Sequence, residues 1–138
     1  MIVYFDEHIP KHLVEGFSAI QKFEGLKSKV HVEIKHIPTE FSYGVKDPEW
    51  LRGLEKKKSF VITQDVNISR RKQEMEIYRL QKIGLFFLKG KSKKQGLSVW
   101  QMVEVLAKRW PEIIEKVIHE KPPFAYEVKL KGHIKKVA

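Results

Sequence analysis

Three stretches of this chain are apolar at nearly every position: Ile2-Val3-Tyr4-Phe5, Ser59-Phe60-Val61-Ile62-Thr63 and Gly84-Leu85-Phe86-Phe87-Leu88. A strand with one face in water alternates between apolar and polar side chains. An unbroken β-branched and aromatic run predicts burial on both faces, the condition of a parallel sheet covered by helices. Between and after these runs the pattern changes period. Pro10 suits a first helical turn, and Leu13, Val14, Phe17 and Ile20 follow at helical spacing, with Gly25 closing that region. Val30 to Ile37 reads as a strand and Pro38 to Gly44 as a loop.

Asp47-Pro48-Glu49 has the form of a helix start, with Trp50, Leu51 and Leu54 as its apolar face and Lys56-Lys57-Lys58 at its end. A charged helical pattern runs from Ile68 to about Gln81. Ser98 and Gln101 are spaced as a capping box ahead of a helix bearing Val99, Met102, Val103 and Leu106, which Trp110-Pro111 is expected to break or kink. Phe124 to Leu130 alternates and predicts a half-exposed edge strand. The order β-α-β-α-β-α-β-α-β predicts a three-layer α/β/α fold with a mostly parallel central sheet and a C-terminal edge strand. With 138 residues, no internal repeat and no long linker, a single domain over 1–138 is expected.

Composition removes several function classes. Cysteine is absent, which excludes disulfides, thiolate nucleophiles and Cys-based zinc or iron–sulfur sites. No apolar run is long enough for a membrane span and no secretory signal profile is present, so a cytoplasmic protein without a membrane partner is expected. Charge is uneven. Residues 1–78 carry 13 basic and 12 acidic side chains, and residues 79–138 carry 14 and 5. A neutral first half and a basic second half, with a net +10, point to a polyanion such as nucleic acid or, more blandly, to lysines kept for solubility.

The chain has only three aspartates, Asp6, Asp47 and Asp65, and two of them directly follow apolar strand runs. Ligand crevices of open α/β sheets lie at the carboxyl ends of strands, so Asp6 and Asp65 are expected to share one crevice. Clustered carboxylates repel unless a cation joins them, and oxygen-only ligands suit Mg²⁺ or Mn²⁺. Such an ion can activate water and stabilise an in-line phosphoryl displacement. Glu74 is the candidate to complete the cup, with Glu7, Thr63 and Asn67 in support. Arg70, Arg71 and the loop lysines Lys89, Lys91, Lys93 and Lys94 are candidates for gripping a phosphate backbone.

Plainer readings stand beside these. Asp47 is equally explained as a helix cap, Asp65 as the cap of the helix after it, and Thr63 as an ordinary strand residue. Glu74, Glu76 and Arg70-Arg71-Lys72 are more commonly a solvated helix face. Asp6 resists such a reading best, because a cap alone does not require an acid directly after a doubly buried strand. Trp50, Trp100 and Trp110 are expected in the core, and His8 and His12 at an exposed helix start. No glycine-rich phosphate loop, nucleophile elbow or dinucleotide fingerprint is present.

Three motifs carry a family resemblance: Ile2-Val3-Tyr4-Phe5-Asp6-Glu7-His8-Ile9-Pro10, Asp47-Pro48-Glu49-Trp50-Leu51 and Phe60-Val61-Ile62-Thr63-Gln64-Asp65. Together they resemble the PIN-like domains, in particular the short VapC-related proteins of toxin–antitoxin loci, over roughly Met1 to Leu88. The resemblance implies an α/β/α fold, a Mg²⁺ or Mn²⁺ site and single-strand endoribonuclease activity. It matches Asp6 to the acid after the first strand, Asp47 to the acid of the middle segment and Asp65 to the acid of the Thr-x-Asp stretch. A further acid of the full site has no clear match, and Glu74 is the candidate.

The expected function is therefore a metal-dependent ribonuclease acting on RNA, with a cognate antitoxin as partner. The alternative is a catalytically silent RNA-binding or regulatory module on the same fold. A phospho-receiver ranks third, because no hydroxyl residue ends the fourth strand. An exposed edge at Pro122 to Leu130 would also allow a homodimer.

Overall fold

The computed structural model describes residues 1–26, 31–41, 59–64, 76, 78–90 and 96–137. Its strands are β1 (Ile2–Phe5), β2 (Glu33–His36), β3 (Ser59–Thr63), β4 (Gly84–Leu88), β5 (Phe124–Val128) and β6 (Lys135–Lys136). Its helices are α1 (Lys11–Gly25), α2 (Ile37–Phe41) and α3 (Val99–His119). The strands form one sheet in the order β2-β1-β3-β4-β5-β6, parallel throughout except for the antiparallel β5–β6 pair.

The apolar runs are explained by the two cores they serve. Val3, Phe5, Phe60, Ile62, Phe86, Leu88 and Tyr126 join Leu13 and Val14 of α1 and Met102, Leu106, Ile113 and Val117 of α3. The alternate residues Ile2, Tyr4, Val61, Leu85, Phe87 and Ala125 pack with Ile37, Tyr78 and Ile83. β1, β3, β4 and β5 thus feed both faces of the sheet, giving three layers, and polar side chains enter these four strands at or beside the ends, as Ser59, Thr63 and Glu127. The close approach of β4 to its neighbours requires a glycine. A Cβ on Gly84 would lie 2.5 Å from the Phe124 ring and 2.7 Å from that of Phe60.

Several expectations change. Residues 37–41 form α2 rather than a loop, and β2 is shorter than the expected Val30–Ile37. Pro38 lies in the first turn of α2, where its missing N–H would have had no helical partner. The capping box of Ser98 and Gln101 is present, but α3 runs unbroken through Pro111. Leu106 on one side of Pro111 and Ile113 and Val117 on the other enter the same core, which holds both halves in line against the lost hydrogen bond.

The strand expected at the edge is internal. β5 pairs with β4 along its whole length on one side and with the two residues of β6, at Tyr126 and Glu127, on the other. The sheet does end on a C-terminal edge strand, but it is β6. Trp110 packs on Phe5 and Phe17, as a core residue should. Trp100 does not; it is 81% exposed. The helices expected from Asp47 and over most of 68–81 lie outside the described residues. The last turn of the second is visible at 78–80, closed by Lys82 at φ 56°.

Candidate functional site

The sheet order makes β1 the switch strand: its two neighbours, β2 and β3, lie on opposite sides and continue the chain in opposite directions. In sheets of this order ligands bind beyond the carboxyl ends of β1 and β3. Asp6 stands at that point, the first residue after β1, and is 6% exposed. Its backbone N–H donates to Ile62 O at 3.1 Å, so the β1–β3 ladder runs on into the acid. Its carbonyl accepts Ile9 N at 3.1 Å, and its carboxylate Oδ1 accepts His8 N at 3.0 Å. A short acid in an Asx turn satisfies the backbone as the chain leaves the sheet, and Asp does this more readily than Glu. Pro10 then precedes the first residue of α1.

Next to Asp6, β3 ends at the fully buried Thr63, and Gln64 follows. Gln64 Oε1 accepts the N–H of Leu97 at 3.1 Å, and a Cβ on Gly96 would approach Gln64 Nε2 to 3.1 Å. The end of β3 is thereby fastened to the segment leading into α3. On the other side, His36 ends β2 in register with Phe5 and is 8% exposed. His36 Nε2 lies 3.0 Å from Ile9 O and donates to it, since a carbonyl oxygen only accepts. Its Nδ1 has no hydrogen-bond partner among the described residues.

Of the acids expected to form the cup, Asp6 is in the crevice, while Asp47, Asp65 and Glu74 lie outside the described residues. So do Asn67, Arg70, Arg71, Lys91, Lys93 and Lys94. Glu7 is on the surface, with Oε1 4.0 Å from His8 Nε2. Among the described residues no three His, Asp or Glu side chains come together to hold a metal. A hard oxygen donor is present at the crevice in Asp6.

A second feature lies two strands away. Beyond the carboxyl ends of β4 and β5, a cleft of about 560 Å³ is lined by residues that include Lys89, Leu97, Gln101, Glu104, Lys129 and Lys131. Lys89 Nζ and Lys129 Nζ lie 3.0 and 3.4 Å from Glu127 Oε1, so one carboxylate fixes two ammonium groups. Burial pushes the Glu127 carboxyl up, but the Lys89 hydrogen bond and charge, with Lys129, hold it below its ordinary value. The turn after β5 is held from beneath by Arg109, which is buried. Arg109 donates to Lys129 O at 2.9 Å, Leu130 O at 2.6 Å and Glu112 Oε1 at 3.1 Å.

The sequence reading identified Lys89 but missed Gln64, His36, Lys129 and Lys131. A glutamine or histidine at the end of a strand carries no signal until the neighbouring strand is known. The lysines of the β5 turn read as part of a charged tail.

No helix among the described residues is long and apolar enough to cross a membrane. A family model described as a PIN like domain matches residues 1–90. No curated protein and no solved structure matches the chain.

Proposed function

The chain belongs to the PIN-like domain family, and on that premise we propose that it is a metal-dependent endoribonuclease cleaving single-stranded RNA. We propose further that it is the toxin of a toxin–antitoxin pair, whose antitoxin would cover the crevice. The observation that carries the reading is the buried carboxylate of Asp6 at the carboxyl end of β1, beside β3 at the switch of the sheet. Asp6, Asp47 and Asp65 would hold Mg²⁺ or Mn²⁺, with Glu74 completing the set. The ion would supply charge stabilisation at the phosphodiester and a lowered water pKa. Thr63 and Asn67 would orient a carboxylate or water, and Arg70, Arg71, Lys89, Lys91, Lys93 and Lys94 would bind the backbone. Asp6 is already fixed by His8 N, so one of its oxygens has a set direction before any ligand arrives.

The test measures Mn²⁺ binding by calorimetry and cleavage of a mixed single-stranded RNA pool, for wild type and for Asp6→Asn with Asp65→Asn. Loss of both metal binding and cleavage in a folded double variant supports the ribonuclease. Cleavage untouched by the two substitutions sinks it. The second reading is a silent RNA-binding or regulatory module. It is favoured by Lys89, Lys129 and Lys131 lining a cleft two strands away from Asp6, and it predicts RNA binding that survives the double substitution.

A further inference from the structure

We propose that the cleft between the carboxyl ends of β4 and β5 and the start of α3 is a docking site for single-stranded RNA, with Trp100 as the base-stacking platform at its rim. The inference rests on the RNA-ligand part of the proposed function and not on its metal chemistry. At about 560 Å³ the cleft is in the size range of small-ligand sites and large enough for a nucleotide unit. Leu97, Val105 and Leu130 give it apolar lining, and Lys89, Lys129 and Lys131 line it as well, Lys89 and Lys129 with their ammonium groups paired to Glu127. That combination is the chemistry of a nucleotide: a flat face to lay on carbon and a phosphate to neutralise.

Glu104 on the helix side of the cleft disfavours a phosphate there. It leaves a carboxylate acceptor for the amino edge of a base. Glu127 holds the ammonium groups of Lys89 and Lys129 near one another.

Trp100 supplies the second, independent observation. It lies in the first turn of α3, on the residue before Gln101 and one turn from Glu104, both of which line the cleft. A core tryptophan would be covered; this one is 81% exposed, with Val99 beside it 47% exposed. An indole face open to water is a surface on which an unpaired base can stack. The cleft is also tied to the Asp6 crevice. Gln64 follows β3 and bonds Leu97, which lines the cleft, and at about 4.8 Å per strand the two sites are on the order of 12 Å apart. A single strand of a few nucleotides spans both.

The experiment uses the full chain in EDTA, which stops metal-dependent cleavage, and follows a labelled oligoadenylate by fluorescence anisotropy. Trp100→Ala is expected to weaken binding by about ten-fold or more, and Trp100→Phe to restore most of it. Lys129→Ala with Lys131→Ala is expected to weaken binding and to flatten the log–log salt slope by roughly 1.4, for two lost phosphate contacts. Thermal melting checks that each variant is folded. The proposal is overturned if Trp100→Ala binds within about two-fold of wild type, or if a mononucleotide competes as well as the oligomer. It is equally overturned if the chain binds no RNA and Trp100 serves instead to engage a protein. Failure of the ribonuclease reading looks different. Trp100-dependent binding without any cleavage when Mn²⁺ is restored keeps the docking site and removes the nuclease, whereas cleavage with Trp100-independent binding does the reverse.

Discussion

The side-chain Oε1 of Gln64 accepts the backbone N–H of Leu97 at 3.1 Å, joining the carboxyl end of β3 to the start of α3 across 33 residues of sequence. This one bond spans the gap between the Asp6 crevice and the lysine-lined cleft. It also confines the neighbouring backbone, because a Cβ on Gly96 would come within 3.1 Å of the same amide group.

Gln64→Ala is therefore expected to destabilise the fold by about 1–2 kcal/mol, the cost of leaving a part-buried N–H without its partner. Gly96→Ala is expected to be destabilising in the wild type and close to neutral in the Gln64→Ala background, where the crowding amide is gone. Urea unfolding of the two single variants and the double variant measures the coupling directly. Simple additivity would show that the two positions do not meet.

Gly84 has no room for a methyl group. Gly84→Ala forces the Phe60 and Phe124 rings apart, and overpacking of this kind costs about 1–3 kcal/mol. Phe124→Leu in the same chain is expected to recover part of that loss, because it removes the ring atoms lying nearest. A Gly84→Ala variant as stable as wild type in denaturant would contradict the packing described.

Lys82 occupies the left-handed region at φ 56° and closes the helical turn of 78–80. Ile83 N donates to Tyr78 O and Lys82 N to Arg79 O, the two bonds of a Schellman closure, with Tyr78 and Ile83 both buried in one core. A side chain in that conformation costs about 1–2 kcal/mol, of which glycine's greater unfolded-state freedom returns roughly half. Lys82→Gly is expected to stabilise the protein by about 0.5–1 kcal/mol, seen as a raised denaturation midpoint with an unchanged slope.

Three carboxylates make stability depend on acid pH. Burial pushes Glu112, Glu120 and Glu127 up, yet each is held below 4.5 by its donors: Ile134 N and Arg109 for Glu112, Tyr126 and Lys136 for Glu120, Lys89 and Lys129 for Glu127. Below that pH the unfolded chain takes up protons that the folded chain refuses. The stabilisation present above pH 4.5 is thus lost as pH falls through the lowered folded-state values. Tyr126 acts at the other end, its phenol pushed from 10.0 up to about 12 by burial and by the Glu120 carboxylate. Its contribution is complete below pH 10 and disappears between 10 and about 12. Denaturant midpoints across pH test both limbs. Glu127→Gln should flatten the acid limb and Tyr126→Phe the alkaline one.

Much of this was legible in the chain. β1, β3 and β4 could be read residue by residue because both faces of each strand are covered, and full coverage writes itself as an unbroken apolar run. The capping box at Ser98 was legible because a cap is a local contract between residues three apart. Asp6 stood out because an acid directly after such a strand has few structural reasons to be there. The errors have a common origin. An apolar residue in a helix predicts a core position for Trp100, yet Trp100 is exposed while Met102 and Leu106 of the same helix enter the core. Phe124 to Leu130 reads as an edge because its polar positions alternate, and only β6 alongside Tyr126 and Glu127 makes the strand internal there.

Local apolar patterning was enough to specify β1, β3, β4 and the long helix α3, and a mostly parallel sheet covered on both sides, but not α2 or β6. Those properties follow from the spacing of apolar side chains along a few residues. Only the tertiary structure decided the strand order, and with it the partners of Asp6: β3 on one side, β2 with His36 on the other. It also decided that Gln64 meets Leu97, that the turn after β5 brings Lys129 and Lys131 to Lys89, and that Trp100 faces water. Such meetings join residues tens of positions apart. Periodicity reports what a side chain needs, while the packing of the whole chain settles which neighbour supplies it.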